Sequence, residues 1–80
     1  ILCLGSVAHA AVVRSLDLGS VGKKPKDLVF GHAAEHQVGS LTVLDSYHPS
    51  RYNVNTGRLT EAMFMQVIAR ARQLADRASA

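Results

Sequence analysis

Eighty residues with 48% hydrophobic and 19% charged side chains describe one small globular unit and exclude a wholly disordered chain. The formal charge of +3 and pI near 9.5 permit an anionic partner without naming one. A single cysteine excludes an internal disulfide, fits a reducing compartment, and no stretch is long and apolar enough to span a membrane.

The chain opens at Ile1 inside an apolar run, with no charged region and cleavage site of a signal peptide. Ile1 to Leu4 reads as a buried parallel strand closed by Gly5-Ser6. A strand of this kind needs neighbours, so the chain reads as part of a longer protein. Cys3, between Leu2 and Leu4, reads as a small buried hydrophobe. Ser6 is a candidate helix N-cap, and Val7, Ala8, Ala11, Val12 and Leu16 recur at helical spacing until Gly19. Strand, glycine turn and helix in that order belong to α/β folds.

Gly19 to Asp27, with Lys23, Lys24 and Lys26, is a basic surface loop. Leu28-Val29-Phe30 reads as a short strand and Gly31 to His36 as a small, histidine-rich loop. Leu41 to Leu44 is a second apolar run, again strand-like, which delivers the chain to Asp45-Ser46-Tyr47-His48-Pro49. Asn53 to Gly57 is turn-rich. Thr60 is the N-cap of a helix whose stripe is Phe64, Val67, Ile68, Ala71, Leu74 and Ala75, with Glu61 favourable to the helix dipole.

Ser46-Tyr47-His48-Pro49-Ser50-Arg51-Tyr52-Asn53, continued by Thr56-Gly57-Arg58-Leu59-Thr60, resembles the distal active-site motif of the uracil-DNA glycosylase superfamily, in its type b (family 5) branch. Phe30-Gly31-His32 and Leu4-Gly5-Ser6-Val7-Ala8 resemble the same branch, so the likeness covers nearly the whole chain. The fold implied is α/β: residues 1–80 would be the C-terminal portion of a three-layer α/β/α domain with a mostly parallel central sheet. The activity implied is hydrolysis of the bond between uracil, or another deaminated base, and deoxyribose in DNA.

Under that resemblance His48 is the catalytic residue, a donor that stabilises the departing uracil anion. Pro49, Ser50, Arg51, Tyr52 and Asn53 form the DNA-binding loop, and His32 lines the base pocket. The implied partner is uracil-containing DNA, met by a monomer in the cytoplasm at the prokaryotic nucleoid. The branch also carries a 4Fe-4S cluster and an upstream Gly/Pro-rich motif, and neither the motif nor the cluster ligands occur in these residues. His32 and His36 have the spacing of a metal pair, with His48 a distant third. No acidic or thiolate partner completes it, so no metal site is assigned. Glu35 and Asp45 are the acidic residues nearest the motifs, and neither reads as a water-activating base. Two other readings stand beside the enzyme: a non-catalytic DNA-binding relative, and a small α/β interaction module.

Overall fold

A computed structural model describes residues 1–79. Strand β1 (Leu2–Leu4) leads through Gly5 into helix α1 (Ser6–Ser15). Two 3-10 turns follow, at Leu18–Val21 and Pro25–Asp27. Strands β2 (Glu35–Val38) and β3 (Leu41–Ser46) form a hairpin, and short helix α2 (Arg51–Asn55) precedes the long helix α3 (Glu61–Ser79). The sheet has the order β1-β3-β2 among the described residues. β1 pairs parallel with β3 and β2 pairs antiparallel, so this small α/β unit carries a mixed sheet rather than a mostly parallel one.

β3 is the central strand, and Val43, Leu44, Asp45 and Ser46 are all buried. Side chains alternate between the faces of a strand, which sorts the sheet into two sets. Cys3, His36, Val38, Val43 and Asp45 share the face on which α1 lies, because Asp45 bonds to His9 of α1. Leu2, Glu35 and Leu44 share the other, where Glu35 meets Arg70 of α3. A buried apolar cluster of Val13, Leu18, Leu28 and Val38 closes the α1 side. On the α3 side Val67 is fully buried while Phe64, Ala71 and Leu74 are only partly covered. Ile68 stays 38% exposed, and a groove of about 330 Å³ runs between α3 and the sheet, past Leu2, Leu41, Leu44, Ala71 and Leu74.

Five sequence expectations are corrected. The buried face of α1 is His9 and Val13, while Val7 is 82% exposed; the apolar stripe expected from the sequence leaves out the histidine. The cap of α1 is Gly5, not Ser6, and the helix ends at Ser15, not at Gly19. Leu28 is buried but Val29 is exposed and the segment forms no strand; its backbone finishes a 3-10 turn, with the Leu28 N–H donating to the Pro25 carbonyl. The second edge strand is instead Glu35–Val38, where only Val38 is buried and no apolar alternation marks it. Gly39-Ser40 then makes a two-residue hairpin loop, with φ +61° at Gly39, a geometry that suits glycine. Thr60 caps α3 as expected, its hydroxyl accepting the Met63 N–H at 3.1 Å.

Glu35 and Arg70 join β2 to α3 through a two-point contact, Nε to Oε1 and Nη2 to Oε2. The hydrogen bond from Arg70 and its positive charge hold the Glu35 carboxyl below its ordinary range. A carboxyl lowered by folding adds stability above its unfolded value, about 4.3, and that contribution disappears as pH falls through the folded value. Acid titration of stability in the full-length protein and in Glu35→Gln should therefore differ in slope below about pH 4.5, with the variant less sensitive to acid. The effect should be small and weakened by salt, since both side chains are about a third exposed.

Candidate active site

At the end of β3 the chain leaves the sheet through Tyr47 and presents His48 to solvent. His48 lines a cleft of about 200 Å³ together with Gly5, Ser6, Phe30, Tyr47, Asn53 and Arg58. Three segments far apart in sequence thus meet: the start of α1, the segment after Leu28, and the stretch from the end of β3 through α2 to Arg58.

Gly5 is required here on two counts. Its φ of +92° and ψ of +163° lie in a region open essentially only to glycine. A side chain there would also meet His48, since a β-carbon on Gly5 would lie 3.2 Å from the His48 Cβ and 3.7 Å from its Cδ2. The Gly5 N–H extends the parallel pairing by donating to the Ser46 carbonyl at 2.8 Å. Backbone therefore packs directly against the imidazole and sets its place at the cleft rim.

The segment after His48 is more ordered than a loop. Ser50 is the N-cap of α2, its hydroxyl accepting the Asn53 N–H at 3.2 Å. The His48 carbonyl accepts the Ser50 N–H at 2.7 Å and the Asn53 side-chain amide at 2.8 Å. Ser50 and Asn53 thus brace the backbone of His48. Arg51 and Tyr52 project outward, Tyr52 being 65% exposed, and the Arg58 guanidinium lies over the Tyr52 ring at 5.9 Å. Pro49 is exposed between His48 and the helix.

His32 stacks on Tyr47, with centroids 4.9 Å apart, and its Nδ1 accepts the Tyr47 N–H at 3.0 Å. That bond assigns the ring hydrogen of a neutral His32 to Nε2. The ring stands behind Tyr47 and is not among the residues that line the cleft. The turn that places it contains Ala33 at φ +64°, uncommon for a residue with a side chain. Hydrogen bonds between this turn and β3 hold it: Ala33 N–H to the Asp45 carbonyl and Asp45 N–H to the Ala34 carbonyl, at 2.8 and 2.9 Å.

His36 does not pair with His32. Its Nε2 meets Asp45 Oδ2 at 2.7 Å, and His9 Nδ1 meets Asp45 Oδ1 at 2.8 Å. Asp45 has no exposed surface, so it cannot activate a water at the cleft. His9, Asp45 and His36 are the one group of donors among the described residues close enough to surround a metal ion. His9 belongs to no motif and stands alone in an alanine- and valine-rich helix. The signal for it was the one polar residue at helical spacing from Val13 and Leu16.

A 4Fe-4S cluster does not fit these residues. Such a cluster takes four thiolates, and the one cysteine, Cys3, is buried in β1. Burial, reinforced by the nearby Asp45 charge, raises the Cys3 thiol above its ordinary value, which disfavours the thiolate a metal needs.

No family model matches the chain. Among curated proteins it is similar to the type-5 uracil-DNA glycosylase of Thermus thermophilus, 37% identical over 75 residues, which are 92% of this chain and 32% of that protein. The type-5 uracil-DNA glycosylase of Pyrobaculum aerophilum is 35% identical over 71 residues, 89% of this chain and 28% of its own length. That of Mycobacterium bovis is 36% identical over 76 residues, 94% and 27% respectively. The chain is thus homologous to type-5 uracil-DNA glycosylases over nearly all of its own length, and spans less than a third of theirs.

Gly5→Ala tests the backbone contact. Strain at φ +92° and the 3.2 Å approach to His48 should together destabilise the full-length protein by about 1–3 kcal/mol and displace the imidazole. Thermal unfolding and the His48 ring resonances measure the two effects. An unchanged His48 environment in a destabilised variant would mean that the glycine serves the turn alone.

Proposed function

We propose that this chain is the C-terminal portion of a single uracil-DNA glycosylase domain, and that it supplies the leaving-group half of the active site. The finer architecture that goes with this reading is a three-layer α/β/α domain, with α1 and α3 on opposite faces of a larger, mostly parallel sheet. The reaction is hydrolysis of the N-glycosidic bond of uracil in DNA, the first step of base excision repair. The observation that carries it is His48: an imidazole at the open rim of a cleft, backed by bare backbone at Gly5, in a chain homologous to these enzymes.

A base stacked in duplex DNA has to be extruded before its sugar bond can be reached. As that bond breaks, negative charge collects on the uracil carbonyls and positive charge on the sugar. A donor fixed where the carbonyl oxygen will lie stabilises the transition state more than the ground state. His48 meets that requirement through position: its backbone carbonyl is held by Ser50 and Asn53, and its Cβ is backed by Gly5. Pro49, Ser50, Arg51, Tyr52 and Asn53 face the DNA in this reading. Arg51 grips phosphate, Tyr52 wedges at the site of the extruded base, and Ser50 and Asn53 shape the loop that carries them. His32 reaches the base pocket only through Tyr47, on which it stacks. The 4Fe-4S cluster and the residue that places the attacking water belong to parts of the protein outside this chain. The enzyme works as a monomer in the cytoplasm on nucleoid DNA; no helix among the described residues is long and apolar enough to cross a membrane.

In the full-length protein, His48→Ala should slow single-turnover excision of uracil by about 100–1,000-fold and leave duplex affinity within about twofold. Near wild-type excision would reject His48 as the donor, and no excision by the wild type would reject the enzyme in favour of a DNA-binding relative. Arg51→Ala should weaken binding and reduce the slope of log K against log salt by about 1. An unchanged slope would remove Arg51 from the phosphate contacts.

A further inference from the structure

The buried cluster behind the cleft contains one more hydrogen than its usual ionisation states supply. His9 Nε2 faces the Leu28 carbonyl at 2.8 Å, and a carbonyl only accepts, so Nε2 carries a hydrogen. His9 Nδ1 faces Asp45 Oδ1 at 2.8 Å, and His36 Nε2 faces Asp45 Oδ2 at 2.7 Å. Each of the three contacts needs its own hydrogen. Two neutral imidazoles and an ionised carboxylate provide two, which leaves one contact as lone pair against lone pair.

A cation has to occupy the deficient contact, and its size decides which. A zinc ion bound at about 2.0–2.2 Å to a nitrogen and an oxygen in tetrahedral geometry would hold them about 3.3–3.6 Å apart. The observed 2.8 Å is a hydrogen-bond distance. A proton fits a contact of that length, and a zinc ion would have to widen it. Imidazole is the stronger base of the two in water, and only His9 faces acceptors through both ring nitrogens. The other groups around it are Cys3, beside Asp45 in the register, and the edge of Phe30 at 5.6 Å; neither supplies a compensating charge.

We propose that His9 is a positioning residue held as an imidazolium, which makes the buried His9–Asp45–His36 cluster neutral and clamps together the elements that wall the cleft. His9 rises from α1 one turn after Gly5 and Ser6, holds the Leu28 carbonyl two residues before Phe30, and holds Asp45 three residues before His48. The extra proton also removes a net negative charge buried behind the cleft. That charge would be costly to bury, and it would oppose an anion forming at His48. The second effect rests on the glycosylase reading; the proton count does not.

The test is nitrogen-15 NMR of histidine-labelled full-length protein at neutral pH. The His9 ring should show hydrogen attached to both nitrogens. A bare Nδ1, or a metal-shifted one, overturns the proposal. Asp45→Asn preserves the packing and supplies the missing hydrogen itself, since its amide can donate to His9 Nδ1 while its oxygen accepts from His36. In that variant His9 should carry one ring hydrogen, and retention of two would contradict the count. His9→Gln leaves the Asp45 charge uncompensated and should lower kcat for excision by roughly tenfold or more, with KM nearly unchanged. Wild-type kcat in that variant would overturn the positioning role. The NMR arms need no activity, so failure of the glycosylase reading can be told apart from failure of this one.

Discussion

A carboxylate without exposed surface, near the end of the central strand, is the constraint around which this fold is arranged. Burying Asp45 would cost several kcal/mol if it stood alone. It is met from both sides, by His9 on α1 and by His36 on the edge strand β2, and its own backbone bonds to the turn at Ala33 and Ala34. No buried side-chain nitrogen or oxygen among the described residues lacks a partner. One residue therefore binds the helix, the hairpin and the histidine turn to β3, and the chain three residues later carries His48.

This arrangement explains how so small a unit can place an imidazole firmly. A rigid strand delivers it, bare glycine backbone supports one side, and the cap of α2 holds its carbonyl. The precision resides in backbone contacts and buried polar bonds rather than in a large apolar core. The apolar side is correspondingly modest: α3 buries Val67 completely but leaves Ile68 and Met65 substantially exposed. Position is what a leaving-group donor has to offer, because its worth lies in being in place before charge develops.

The elements with strong local signals were legible in the sequence. β1 is an apolar run, β3 opens on the largely apolar Leu41–Leu44 and runs on through Asp45 and Ser46, and α3 has a capped start and a long stripe. The Ser46–Thr60 block pointed to His48 and to the exposed Arg51 and Tyr52. What escaped was held by tertiary polar contacts. His9 breaks the apolar pattern of α1, so the apolar spacing points one residue away from the buried face. β2 buries little more than Val38 and has no alternation to read, although Gly39-Ser40 was a hairpin signal that could have marked it. Asp45 carries no local sign of its burial, because its two partners lie 36 and 9 residues away. Ser50 and Asn53 looked like DNA contacts, and the folded chain also uses them as a helix cap and a backbone brace.

The glycosylase reading requires that the cleft beside Gly5 receive an extruded base and that His48 touch it. The most direct measurement is a crystal structure of the full-length protein bound to duplex DNA carrying a non-hydrolysable deoxyuridine analogue. A His48 ring nitrogen should lie within hydrogen-bond distance of a uracil carbonyl oxygen, with the His9–Asp45–His36 bonds intact behind it. A base seated elsewhere, with His48 turned to solvent, would remove His48 from the leaving-group role.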